Sequence, residues 1–336
     1  MSNTPVKGRW TEPAAAGAVR SILVVSLSNI GDAVLTTPVL ERLHQLYPDA
    51  RMDILGDRRS SALFTHCPYR GEIIHRDKAK GWRGRLALVR ALRRTRYDLI
   101  VDLRTDGMAY LLRAGRRLTK WHRGPHGAHA VEDHMAVIAA INPAGLIPPA
   151  TLWVSDAEVE AAVAALQPLR ASGTGGTRWL AVAPGANWPP KTWPAARFAE
   201  LIAQVSDRFD GVVLLGGPDD RERCEAIGLT LTLPSVDLAG RTDLLQAAAV
   251  LGRCRAFVGN DSGLGHMAAA VGLPTVTVFG PGRPERYHPW GPCSIWRVSE
   301  TGHIEDLAAA PVAAALCELL DCRAPVLVGS AQGMGR

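Results

Sequence analysis

Short runs of aliphatic and β-branched residues alternate with helical patterns along nearly the whole chain, an order that parallel βαβ units satisfy and few other arrangements do. SILVVSLS at 21–28 reads as a buried strand. The stretch 32–47 then places Val34, Leu35, Val39, Leu43 and Leu46 on one helical face, and Pro48-Asp49 ends it. A strand at 51–55, a basic helix at 84–94 and a strand at 97–103 complete the first half. From 179 the alternation repeats, with strands at 179–183, 212–216, 235–238, 256–260 and 274–279. Helices at 194–206, 219–227, 243–252 and 263–271 separate them.

Between the halves, NPAGLIPP (142–149) and SGTGGT (172–177) have linker composition, so a boundary is expected between 145 and 177. The expected organisation is a flexible segment 1–20, an α/β domain 21–160, a second α/β domain 161–322 and a tail 323–336. The Ala-rich helix around 304–320, with Pro311 inside it, is expected to pack back across the junction. Ligands of open α/β sheets sit beyond the carboxyl ends of the strands, so two Rossmann-like parallel-sheet domains should face each other across a central cleft.

Composition narrows the function classes. At 336 residues and 47% hydrophobic, the chain can bury a substantial core, which excludes disorder. Six cysteines without CxxC spacing favour free thiols in a reducing, cytoplasmic compartment. No export signal is visible in the first twenty residues. The uncharged stretch 262–282 holds five glycines and two prolines and does not suit a membrane span.

Charge is unevenly spread. Residues 1–150 carry 23 basic and 13 acidic side chains, net +10, whereas the remainder is net −4. Eight basic residues and no acid lie between Lys78 and Arg96, and Arg113, Arg116, Arg117, Lys120 and Arg123 follow. Two readings stand: solvated helix faces, or a surface for an anionic partner. Nucleic acid is disfavoured as that partner, because no finger spacing, RNP-like strand or basic zipper accompanies the charge.

Three segments carry chemistry. Ser28-Asn29-Ile30-Gly31-Asp32 follows a strand and opens a helix; Gly31 permits close ligand approach, and Asp32 is either a helix-start residue or a functional carboxylate. In Pro184-Gly185-Ala186-Asn187-Trp188-Pro189-Pro190-Lys191 the glycine exposes backbone amides and Lys191 offers a point charge, a pairing suited to phosphate. Asp261-Ser262-Gly263-Leu264-Gly265-His266 joins a strand directly to a glycine-rich helix start whose amides suit a diphosphate. The last segment also fits GxGxxA, which leaves a nicotinamide-dependent oxidoreductase as an alternative. No acid stands at the end of the next strand to hold a ribose. Asp-x-Asp and HExxH are absent, so no metal and no cofactor are expected.

These segments, in this order, resemble glycosyltransferase family 9, the lipopolysaccharide heptosyltransferases. The resemblance spans about 20–320 and is carried by S-x-x-G-D-x-x-x-T-x-P at 28–38, P-G-A-x-W-x-x-K-x-W-P at 184–194, D-S-G-x-x-H at 261–266 and A-A-x-G-x-P-x-V-x-x-F-G at 269–280. It implies a GT-B fold and inverting transfer of a sugar, typically heptose from ADP-heptose, onto an anionic inner-core lipopolysaccharide acceptor. It further implies Asp32 as general base, and Gly31, Ala186, Asn187, Lys191, Thr242, Asp261, Ser262, Gly263 and His266 as donor contacts. Arg58, Arg59 and Arg104 are implied on the acceptor side. A cytoplasmic enzyme in peripheral contact with an anionic inner membrane would follow. A non-catalytic GT-B-like binding protein is the remaining alternative, which the presence of Asp32 does not favour.

Overall fold

The computed structural model describes residues 19–76, 81–104, 107–120, 127–172 and 177–321. Residues 1–18 and 322–336 of the expected terminal segments, Cys322, Lys78, Lys80 and Arg123 of the basic clusters, and most of SGTGGT lie outside them. The strands are β1 (Ser21–Val25), β2 (Arg51–Asp57), β3 (Arg70–Arg76), β4 (Tyr97–Asp102), β5 (Ala114–Thr119), β6 (Trp179–Ala183), β7 (Gly211–Leu214), β8 (Ser235–Asp237), β9 (Ala256–Asn260), β10 (Thr275–Phe279) and β11 (Ser294–Val298). The first-domain helices are α1 (Ile30–Val34), α2 (Thr37–Leu46), α3 (Arg58–Ser61), α4 (Gly81–Leu92), α5 (Met108–Leu111) and α6 (Ala130–Val137). Then come α7 (Asp156–Ala165), α8 (Gln167–Ala171), α9 (Ala195–Gln204), α10 (Arg221–Gly228), α11 (Leu244–Leu251), α12 (Gly263–Ala270), α13 (Pro284–Tyr287) and α14 (Ala309–Asp321).

Every strand pairing is parallel, in a five-stranded sheet ordered β3-β2-β1-β4-β5 and a six-stranded sheet ordered β11-β10-β9-β6-β7-β8. In each, the first strand lies between the second and the fourth, so the chain reverses its winding beside β1 and beside β6. Ligands bind at such switch points. The central strands are buried on both faces by flanking helices, which is why β1, β6, β9 and β10 are rich in aliphatic and β-branched residues and carry no charge.

Three strands that the sequence pattern does not announce are β3, β5 and β11, and all three are sheet edges. An edge strand has one neighbour and tolerates charge, so RGEIIHR, AGRRLT and SIWRV lack the apolar signature. Arg116 and Arg117 accordingly sit on an edge strand rather than a helix face. Arg117 is structural: its Nε donates to the Ala109 carbonyl (2.9 Å) and its Nη2 to that of Leu112 (2.6 Å), tying down α5.

The helix expected at 32–47 is two helices. Pro38 has no amide to bond the Val34 carbonyl, and the Thr37 hydroxyl donates to that carbonyl instead, at 2.8 Å. The break places Asp32 on a separate five-residue helix. The expected boundary at 160 falls inside α7, which packs on α11 of the second domain, whereas residues 142–155 run over the first. There the Thr151 amide donates to Thr37 Oγ1 at 3.0 Å, and Trp153 meets Tyr69 edge-on. The last helix does not pack back across the junction. α14 lies on α9 and β10, with Val312, Ala315 and Leu316 buried in the second-domain core, and Pro311 occupies its first turn, where no amide partner is needed.

One buried polar side chain fixes the loop after β6. Asn260, at the end of β9, is fully buried, donates through Nδ2 to the Pro184 carbonyl (2.7 Å) and accepts the Trp193 amide at Oδ1 (3.0 Å). Asn260→Ala should strand both groups and lower unfolding free energy in urea by about 2–4 kcal/mol, on the scale of two lost buried hydrogen bonds.

Candidate active site

A cleft of about 1190 Å³ lies between the two sheets. Its first-domain wall is Asn29, Ile30, Gly31, Asp32 and Leu35 at the carboxyl end of β1, with Arg59 and Ala62. Its second-domain wall includes Gly185, Ala186, Asn187 and Lys191 after β6, Thr242 to Leu244 at the start of α11, and Asp261 to Leu264 and His266 after β9. The cleft thus gathers ten expected site residues from four chain segments: Gly31, Asp32, Ala186, Asn187, Lys191, Thr242, Asp261, Ser262, Gly263 and His266.

The walls touch where α1 meets α12, and glycine makes that contact feasible. A Cβ on Gly31 would fall 2.6 Å from His266 Cδ2, and one on Gly263 would fall 2.6 Å from Ile30 Cγ2. Neither position has room for a side chain. Asp32 is half-buried in the first turn of α1 and accepts a hydrogen bond from Asn29 Nδ2 at 2.9 Å; the Asp32 carbonyl takes the Thr36 hydroxyl at 3.0 Å.

On the opposite wall, which Asp219, Asp220, Asp243 and Asp261 also line, the start of α12 and Lys191 suit negative charge. Ser262 occupies the N-cap of α12 without a side-chain capping bond, and no acidic residue stands in that helix's first turn, so its amides stay available to an anion. Lys191 Nζ lies 2.5 Å from Asp261 Oδ2, which holds the ammonium at the cleft. Burial pushes the His266 imidazole down to about 4, against the pull of the Asp32 carboxylate, so His266 is neutral at pH 7 and offers hydrogen bonding rather than charge. Ser262 Oγ and His266 Nδ1 are buried without a hydrogen-bond partner among the described residues, as happens where a ligand or a shift in conformation completes a site.

Two expected acceptor residues stand apart from the cleft. Arg58 is exposed beside it, and Arg104 donates to Ser28 Oγ behind the Gly31 turn, which makes it a support of that turn. Arg59 does line the cleft, its guanidinium 3.6 Å from Asp57. The sequence reading missed Gly216 to Asp220 and Tyr287 in the cleft wall. Gly216-Gly217-Pro218 after β7 was the available signal: Asp220 accepts the Gly217 amide at 2.8 Å there, folding the turn towards Gly185. Among the described residues no three His, Cys, Asp or Glu side chains group as metal ligands would.

The comparisons with known proteins agree with this geometry. Lipopolysaccharide heptosyltransferase 3 of Escherichia coli K12 is 29% identical over 291 residues, covering 77% of this chain and 82% of that protein. The structure of E. coli ADP-heptose lipopolysaccharide heptosyltransferase II superposes with a TM-score of 0.71 at 27% identity, over 89% of this chain and 98% of that one. A glycosyltransferase family 9 structure from Veillonella parvula shares the fold, with a TM-score of 0.79 at 22% identity over 91% of this chain and 98% of that one. None of these relatives supports the oxidoreductase alternative. Residues 107–310 match the family described as glycosyltransferase family 9 (heptosyltransferase), more than half of the sequence, and the chain therefore belongs to that family as a GT-B glycosyltransferase.

Proposed function

We propose that the protein transfers heptose from ADP-heptose to the inner core of lipopolysaccharide with inversion at the anomeric carbon. The observation that carries this reading is the arrangement of the cleft: Asp32, the carboxylate of the first-domain wall, faces Lys191 and the uncapped start of α12 on the other wall. Asp32 takes the proton from the acceptor hydroxyl as its oxygen bonds to the anomeric carbon. The bond from that carbon to the diphosphate oxygen breaks, and ADP leaves with the added negative charge. Lys191 and the amides of Ser262, Gly263 and Leu264 stabilise that charge. Asp261 and neutral His266 hold the donor sugar and diphosphate, and Thr242, with Ala186 and Asn187, lines the nucleotide end. Arg59, and Arg58 beside it, meet the acceptor's carboxylates and phosphates. The test of the reaction is incubation with ADP-heptose and deep-core-truncated lipopolysaccharide, read by mass spectrometry as the gain of one heptose. No gain with any truncated core overturns it.

The same reading places the enzyme in the cytoplasm against the inner membrane. No helix among the described residues is long and apolar enough to cross a membrane. α4 instead exposes Trp82 (70%) and Leu86 beside Arg83, Arg85 and Arg90, with Arg93 and Arg94 just beyond its end. An aromatic and a cationic surface together suit an interfacial, anionic lipid contact.

Three outcomes test these assignments. Asp32→Asn should lower kcat by ~10²–10⁴ while leaving ADP binding nearly intact, the range for loss of a general base; a wild-type rate would remove Asp32 from that role. Lys191→Ala should raise the donor KM and lower kcat, since the charge matters most as the diphosphate departs. EDTA should change neither constant, and activity lost to EDTA and restored by Mg²⁺ would contradict the assignment of charge stabilisation to Lys191 and the α12 amides. Neutralising Arg90, Arg93 and Arg94 together should weaken cosedimentation with anionic vesicles. That binding should itself fall steeply with salt, because exposed charges are screened beyond ~8 Å at physiological ionic strength. ADP affinity should not change. Unaltered vesicle binding and acceptor KM would return the basic face to the solvated-helix reading.

A further inference from the structure

Helix α6 contacts both walls of the cleft and lines neither. On the side of the second domain, Asp133 is almost fully buried and pairs with Arg286 Nη2 on α13. One turn earlier, His129 accepts the Val131 amide at Nδ1 (3.2 Å). Its other nitrogen, Nε2, therefore carries the proton and donates to the His288 carbonyl at 2.8 Å. The His129 ring lies 4.5 Å from that of His288 and 4.8 Å from Trp290. On the first-domain side, the residue next to Asp133 reaches the helix of the proposed base: His134 Nδ1 donates to the Leu35 carbonyl at 3.2 Å, and Leu35 caps the α1 helix that holds Asp32. Burial holds both imidazoles below the usual range, which keeps them neutral and these donor assignments stable.

Arg286 also connects to the cleft. Its Nε stands 3.3 Å from the Tyr287 hydroxyl and its guanidinium 5.5 Å from the Tyr287 ring centroid, and Tyr287 lines the cleft wall. A continuous chain of contacts therefore runs from a cleft residue of the second domain, through Arg286 and Asp133, along α6 and through His134, to the cap of α1. The ion pair is the directional link in it. Separating the walls would draw Arg286 away from the buried Asp133 carboxylate and break this ion pair, so the pair favours one relative placement of the walls over neighbouring ones.

We propose that Asp133 and Arg286 are positioning residues of the transfer reaction, a latch between the domains that sets Asp32 at the distance from the donor wall at which it can deprotonate the acceptor. This rests on the reading of Asp32 as the base. The pair touches no substrate, and its contribution falls on the chemical step rather than on nucleotide binding, because the residues that hold the nucleotide all lie on the second-domain wall.

The experiment compares wild type with Arg286→Met, Arg286→Lys and the apolar pair Asp133→Leu/Arg286→Met, which removes both charges of the pair and so does not leave a buried Asp133 carboxylate that has lost Arg286. Three quantities are measured: kcat, the Kd for ADP, and the radius of gyration of the unliganded protein by solution scattering. Arg286→Met and the apolar pair should lose at least tenfold in kcat, keep the Kd for ADP within threefold and show a larger radius of gyration. Arg286→Lys should recover part of kcat. A wild-type kcat and radius in the apolar pair would overturn the latch, as would a loss of kcat matched by an equal loss of ADP affinity. If wild type itself transfers no heptose, the proposed reaction fails, while the scattering comparison still decides whether the pair sets the placement of the domains.

Discussion

The site depends on how closely two backbones approach. At Gly31 the turn after β1 lies against the ring of His266, and at Gly263 the start of α12 lies against Ile30; in each place a single added carbon would sit inside its neighbour's van der Waals radius. Because both glycines stand at the switch points of doubly wound sheets, this contact brings the carboxyl ends of β1 and β9 into one cleft. A side chain at either position would wedge the walls apart and separate Asp32 from the residues it faces.

From that contact the electrostatic division follows. The first wall offers one carboxylate on a short helix. The second offers a lysine and an uncapped helix start, with a histidine kept neutral by burial between them. The Asp261 carboxylate beside Lys191 holds the ammonium in place; in the proposed reaction a diphosphate, which carries more charge, replaces that partner. His266, neutral through burial, brings no formal charge to the contact between the walls. The helix break at Pro38 serves that contact, since it frees α1 to take its direction from the contact with α12 and from His134 rather than from α2.

Much of this was legible in the sequence, and the pattern of what was not has physical reasons. Central strands are buried on both faces and announce themselves as apolar runs, whereas β3, β5 and β11 lie at sheet edges, where one-sided burial permits arginine, histidine and glutamate. Gly31, Asp32, Lys191 and Asp261 to His266 were readable because an anion-binding helix start needs glycine and a small N-cap residue within a few positions of a strand end. Arg58 and Arg104 were placed by resemblance alone. Arginine reaches several ångströms, and only its packing decides whether it faces solvent, a turn or a cleft.

Local chemistry, then, was sufficient for the fold class, the two-domain plan and the ligand-facing loops, since strand burial, helix starts and tight turns each restrict residue type within a short window of sequence. The tertiary structure alone decided which loops share a cleft, which arginines face it, that α7 and α14 belong with the second sheet, and that Asp133 and Arg286, 153 positions apart, form one ion pair. Those outcomes depend on how two separately folded sheets dock. Docking is set by shape and charge summed over surfaces that are assembled from distant parts of the chain, and no short stretch of sequence contains that sum.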